Sequence, residues 1–247
     1  MKKIAFLISV FLISISAAFA QPAEVTPEGL TKNPKFRMGL SFSGVTSWIN
    51  PDFKDDFAET DGIRLNIGYG LHTDFGLGTN RNYYFSTGLF VLNTGGTLKY
   101  TNQYDDNTVS LRTIDYRFNY VNIPTTMMMR TNEIGYTVYF ARVGVDNGFN
   151  IKSTYDTSDL LQDGSNRTVV DEDDSPDYAS LYRVALHIEA GAEFNLTGTT
   201  NMFVSLTWNN GLNNVFSKKA EGLKSDGGMK QIKGGTNLIM LNLGVYF

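Results

Sequence analysis

Eight stretches of this 247-residue chain alternate apolar and polar side chains with a period of two, and the connections between them alternate long and short. The stretches run over about 36–48, 62–75, 83–104, 109–130, 135–151, 180–196, 201–210 and 236–247. Period two puts successive side chains on opposite faces of a β-strand. Long connections follow the first, fifth and seventh stretches. The third and fourth form an extended ribbon that turns at Asp105-Asp106-Asn107, a run with the turn chemistry of a hairpin. Short connections follow the second, fourth and sixth, the first of these rich in Gly and Asn. An even number of antiparallel strands with every long loop at one end describes an up-and-down barrel. A soluble β-sandwich has no reason to sort its loops this way, and it stands as the alternative.

The closing stretch, TNLIMLNLGVYF, puts Ile239, Leu241, Leu243, Val245 and the terminal Phe247 on one face. It resembles the last strand of bacterial outer-membrane β-barrels. In that class the terminal strand is what the insertion machinery recognises, so the resemblance implies that Leu241, Leu243, Val245 and Phe247 are an insertion signal. The other end of the chain agrees. Met1-Lys2-Lys3, an apolar run to Ser14 and Ala18-Phe19-Ala20 read as a secretory signal peptide over 1–20. Residues 21–34, with Pro22, Pro27 and Pro34, read as a periplasmic leader, and 35–247 as the barrel domain.

Removing Lys2 and Lys3 with the signal peptide leaves 19 basic residues against 25 acidic, a net charge of −6. Such a chain is a poor partner for nucleic acid. It has no cysteine, so no disulfide holds it. Past the leader no run of about 18 apolar residues exists, which excludes a helical span but not a barrel, whose strands alternate. The expected fold is all-β: an eight-stranded antiparallel up-and-down transmembrane β-barrel with long outer loops and short periplasmic turns. It would be integral to the outer membrane of a Gram-negative bacterium.

Tyr120-Val121-Asn122-Ile123-Pro124, followed after a short turn by Tyr139-Phe140-Ala141-Arg142-Val143-Gly144, resembles the "aromatic-x-x-Ile-Pro … aromatic-x-x-x-x-Gly" run of PorT-like outer-membrane barrels of Bacteroidetes. The family usually carries an acid where Asn122 stands. LTWNNGLNNV at 206–215 is similar to the penultimate strand of the same family and its Gly-Leu-x-Asn exit. The resemblance implies the barrel. It also brings a role as accessory to a type IX-like secretion complex as an alternative, since the family's namesake takes part in such secretion.

The face opposite the lipid carries Arg37, Arg64, Arg142, Asp146, Arg183, His187, Glu189 and Glu193. Eight strands enclose an interior just wide enough for side chains to fill it. Charges there need partners, because an isolated buried ion is very costly. These residues are therefore expected to form a polar network plugging the lumen rather than lining a small channel. Catalysis is not expected. Only two histidines are present, His72 near the periplasmic end of its strand and His187 beside Glu189, and no nucleophile–base pair is evident. No metal or cofactor site is expected. The acidic run Asp171–Asp174 lacks calcium-loop spacing, and Met127-Met128-Met129 alternate faces with no His or Cys nearby. The expected partners are outer-membrane lipid and lipopolysaccharide, the insertion machinery, and a surface or secretion-complex protein. Pro124 should break or bulge its strand, since proline cannot donate to a ladder.

Overall fold

The computed structural model describes residues 34–51, 58–78, 82–101, 109–174, 178–197, 199–217, 221–223 and 229–247. The signal peptide expected at 1–20 and all of the leader except Pro34 lie outside them. Twelve strands follow in order: β1 (Phe36–Pro51), β2 (Ala58–Thr60), β3 (Arg64–Leu77), β4 (Tyr83–Thr101), β5 (Val109–Arg130), β6 (Thr137–Leu161), β7 (Asn166–Asp174), β8 (Tyr182–Thr197), β9 (Thr200–Gly211), β10 (Glu221–Leu223), β11 (Met229–Gln231) and β12 (Gly234–Tyr246). Eight of them close a ring. β1 pairs β3, β3 pairs β4, and the pairing continues through β5, β6, β8, β9 and β12, which returns to β1, every neighbour antiparallel. The β1–β12 seam runs from Gly39 opposite Tyr246 to Pro51 opposite Gly234, and the Phe247 amide donates to the Met38 carbonyl at 3.0 Å. A closed ring leaves none of these eight strands with a free edge.

Alternation sets the two faces of the wall. Leu40 and Phe42 on β1, Leu65 (78% exposed) and Ile67 on β3, Leu89 on β4, Met127 on β5, Val143 on β6, Ile188 on β8, Leu206 on β9 and Leu241 and Leu243 on β12 all point outward and are exposed. All eight ring strands thus contribute to a continuous apolar belt. A belt of that extent suits hydrocarbon and not water. This geometry removes the sandwich alternative, which would turn those residues into a core.

At one end the ring strands follow one another after few residues: β3 stops at Leu77 and β4 starts at Tyr83, β5 stops at Arg130 and β6 starts at Thr137, and β8 stops at Thr197 and β9 starts at Thr200. Gly135, at a φ of 68°, gives the middle turn a conformation that side chains rarely adopt. The other end differs from the sequence expectation. The stretch 153–179 is not a loop: β6 continues to Leu161 and β7 folds back along it, with Asp159 opposite Arg167. Two causes are visible. β5 is 22 residues long and needs a partner of similar length, and Thr154, Tyr155 and Thr157 suit a pleated surface. Ion pairs fix the register. Arg112 Nε meets Asp159 Oδ1 at 2.6 Å, and Arg117 pairs with Asp156. Between β1 and β3 lies the short strand β2, paired with β4, and between β9 and β12 lie β10 and β11, paired with each other.

At Pro124, where a break or a bulge was expected, the two neighbours differ. It pairs with Asp146 of β6 in unbroken register, and the bulge on that side falls at Asn119/Tyr120. On the β4 side the ladder stops after Ser86–Thr126 and resumes at Phe90–Asn122 in the same register. The strand itself runs on; the β4–β5 ladder is interrupted there, without a bulge.

The outer ribbon gives a pH prediction. Asp159 is buried, and hydrogen bonds from Arg112 and then Arg167 hold its carboxyl below the usual carboxylate range. A lowered value means the ribbon gains stability above the ordinary carboxylate pKa of about 4 and loses it as pH falls through the lowered value. Amide exchange at Ser158–Leu160, taken relative to the intrinsic rate at each pH, should therefore quicken at low pH. Arg112→Ala should quicken it at pH 7, and acidification should add little in that variant. Equal acid sensitivity in both proteins would disprove the pairing.

Candidate functional site in the lumen

The inward set collects in layers along the barrel axis. Nearest the short turns is an ionic layer. Arg37 of β1 donates to Glu193 of β8 at 2.8 Å and to Asp74 of β3 at 2.7 Å. Arg130 of β5 reaches the same Glu193 at 2.5 Å, and Arg142 of β6 donates to Glu189 at 2.8 Å and to the Tyr246 hydroxyl of β12. Ser86 of β4 donates to Asp74 at 2.6 Å and Ser205 of β9 to Glu189 at 2.5 Å. Every ring strand contributes. Three arginines face three carboxylates, so the layer is neutral, and its members are nearly all fully buried. The Arg37 guanidinium also stacks over the Tyr246 ring, 4.1 Å from its centroid.

Above it lies a mixed polar layer. His187 Nδ1 is 3.0 Å from Asp146 Oδ1, and its Nε2 is 3.4 Å from Glu189. Asn209 donates to Asp146 at 2.6 Å while accepting from Arg183 at 2.5 Å, and Arg183 Nε donates to Thr236 at 2.7 Å. Asn242 joins β12 to Ser43, Ser205 and Thr207. Nearest the long loops is an apolar layer of Ile49, Leu98, Tyr100, Tyr116, Phe118 and Tyr120 from the walls, covered by Ala179, Val215, Phe216 and Ile232 from the connections.

Seven of the eight residues singled out from the sequence as a polar network face this lumen. Arg64 does not join them. It stands at the outer end of β3, a quarter exposed, and pairs with Asp115 of β5, because β4 and β5 continue beyond the point where β3 ends. His72, expected at the periplasmic end, lies well inside, since β3 runs five residues further. It bonds Ser41 at 2.9 Å and packs edge-on to Phe90, 4.6 Å between ring centroids. Asp74, Arg130 and Tyr246 were missed. Asp74 shares the parity of Arg64 on its strand and Tyr246 that of Asn242, so the alternation could have found both, whereas no residue on the strand of Arg130 had been assigned a face. Aromatic neighbours divide by the same rule. Tyr83, Phe85 and Trp208 face out, whereas Tyr84, Tyr116, Phe118 and Tyr120 are buried within.

Leu241, Leu243 and Phe247 face outward, with Val245 partly exposed between them. Met127 and Met129 face outward and Met128 lies beside Arg37, its sulfur 3.7 Å from Nη2. Among the described residues no group of three His, Cys, Asp or Glu side chains is placed to hold a metal ion. The side chains of Asp171–Asp174 lie outside the described residues, as does Asp177.

A family profile described as "Outer membrane protein beta-barrel domain" matches residues 19–217. This chain belongs to that family. It is an integral outer-membrane β-barrel, and the apolar belt is its lipid-facing surface. The finer assignment to PorT-like barrels goes beyond this match. No curated protein matches the chain in sequence. Among solved structures it resembles Neisserial surface protein A at 10% identity and a TM-score of 0.41, over 86% of this chain and 96% of that one. It also resembles Ail, the attachment invasion locus protein of Yersinia pestis, at 15% identity and 0.35, over 87% and 100%. A third is the outer membrane protease OmpT from Escherichia coli, at 13% and 0.39, over 90% and 99%. The last corrects one expectation. A protease stands among the barrels this one resembles, so the architecture gives no ground for excluding catalysis.

Proposed function

We propose that this outer-membrane barrel is plugged and acts at the cell surface through its outer sheet and loops, where it engages lipopolysaccharide. The observation that carries the reading is the filling of the lumen. A neutral ionic layer tied to all eight ring strands lies below a cap of Tyr116, Phe118 and Phe216, with the polar layer between them. Two features support engagement at the surface. The β5–β6–β7 sheet rises beyond β8, β9 and β12, and the outer ends of β3 to β6 carry Arg64, Lys99, Arg117 and Lys152 just past the exposed Leu65 and Ile151. Basic groups at that height suit phosphorylated headgroups.

Purified barrel in planar bilayers should show no conductance steps. Proteoliposomes should bind lipopolysaccharide, and a variant with residues 152–174 replaced by a short turn should lose that binding while still running ahead of its boiled form on a gel. Steady conductance would overturn the plug; unchanged binding in the shortened variant would overturn the role of the sheet. The terminal strand has its own test. Phe247 projects outward, and its backbone amide donates to the Met38 carbonyl. Deleting it should cut the amount assembled in cells several-fold while refolding of purified protein into detergent is unchanged. Equal assembly would remove it as an insertion signal.

A further inference from the structure

A cavity of about 40 Å³ lies in the polar layer, lined by Asn122, Pro124, His72, Asp146 and His187, and also by Thr87. Thr87 belongs to the outward-facing set of β4, so the cavity reaches into the wall. It does so where the β4–β5 ladder is interrupted, between the Ser86–Thr126 and Phe90–Asn122 pairs. Three features hold the break in place. Pro124 has no amide proton to give. Thr126 Oγ1 takes over one strand-to-strand bond by donating to the Ser86 carbonyl at 3.1 Å. Gly88 lies so close to β3 that a Cβ would strike the Leu71 carbonyl, which keeps β4 on its β3 side. Outside the break are Phe85, Leu89, Ile123 and Met127, all exposed in the belt. Interrupted backbone pairing at bilayer depth is costly unless something else meets the freed groups.

Asn122 supplies the second observation. Its side chain is 1% exposed, it lines this cavity, and neither its amide nitrogen nor its oxygen has a hydrogen-bond partner. Buried amides are rarely left so. The geometry points to a lateral binding site: the β4–β5 break admits a small uncharged amphiphile from the membrane, whose hydroxyl or primary amide head pairs with Asn122. A head that donates and accepts matches the two unpaired atoms. A charged head would upset an ionic layer already balanced three against three. The volume takes a head but no chain, so the chain stays in the gap beside Leu89 and Ile123. That entry is from the side rests on the plugged lumen proposed above.

The test uses isotope-labelled barrel in phospholipid nanodiscs, titrated with 1-hexanol and hexanamide, with hexane and hexanoate as controls. Saturable amide shifts confined to 86–90 and 122–126 are expected for the alcohol and amide only. Affinity should fall at least tenfold in Asn122→Leu, and also in Thr87→Trp, which fills the gap from the lipid side and leaves the lumen untouched. Both variants are first shown to be heat-modifiable. No saturable shift in the wild type, an equal response to hexane, or full binding by Asn122→Leu would overturn the site and leave the plug standing. Binding that survives Thr87→Trp but not Asn122→Leu would overturn the lateral entrance, and the plug with it.

Discussion

Glu193→Ala should destabilise the barrel by about 3–5 kcal/mol, the range for breaking a buried ion pair by removing one partner. Glu193 accepts from both Arg37 and Arg130, and all three side chains are buried. Its removal leaves two guanidinium groups with one nearby carboxylate, Asp74, which already serves Arg37 and receives a bond from Ser86. Water reaches this layer poorly, so solvation does not compensate. Urea unfolding in detergent, followed by the fluorescence of Trp48 and Trp208, reads the change as a shift in midpoint at constant slope. A loss below about 1 kcal/mol would show that the layer is hydrated and its charges are screened.

Phe118→Ala should cost a similar amount, about 3–5 kcal/mol, for a different reason. The Phe118 ring is buried among Tyr116, Tyr120 and Phe216, with centroids 6.1, 6.2 and 6.1 Å away. Truncation leaves a void roofed by Phe216, whose connection is held by the Ala179–Phe216 bridge and the Ser180 amide bond to Val215. Phe118 belongs to the apolar layer and Glu193 to the ionic layer, with the polar layer between them. Their costs should therefore add to within about 0.5 kcal/mol in the double variant. Strong coupling would mean that the layers rearrange together, which a rigid plug does not do.

The ring strands were readable because burial on a barrel wall is decided one residue at a time. Leu40, Phe42, Leu241 and Leu243 declare the outer face, and parity then assigns Arg37, Asn242 and Tyr246 to the inner. Two things escaped. The first was the length of β6. Its outer half carries Asp156 and Asp159 among serines and threonines, a composition that reads as solvated loop until Arg117 and Arg112 across the ladder are seen to need those acids. The second was who meets whom in the lumen. Arg37 and Glu193 are 156 residues apart and meet only because the ring closes at a particular stagger between strands, a quantity no single strand encodes. Arg64 shows the same limit. Its parity is right for the lumen, but its height, set by where β3 stops, carries it to Asp115 instead.

The strands rise to unequal heights. β5 and β6 run 22 and 25 residues, and β7 backs β6, while β8 begins only at Tyr182 and β9 stops at Gly211. Seen from outside the cell, the mouth therefore has a back and a front. A screen stands along one side of it, above the ends of the neighbouring ring strands. An antibody that comes toward the cap around Phe216 from the β5–β6 side meets that sheet first.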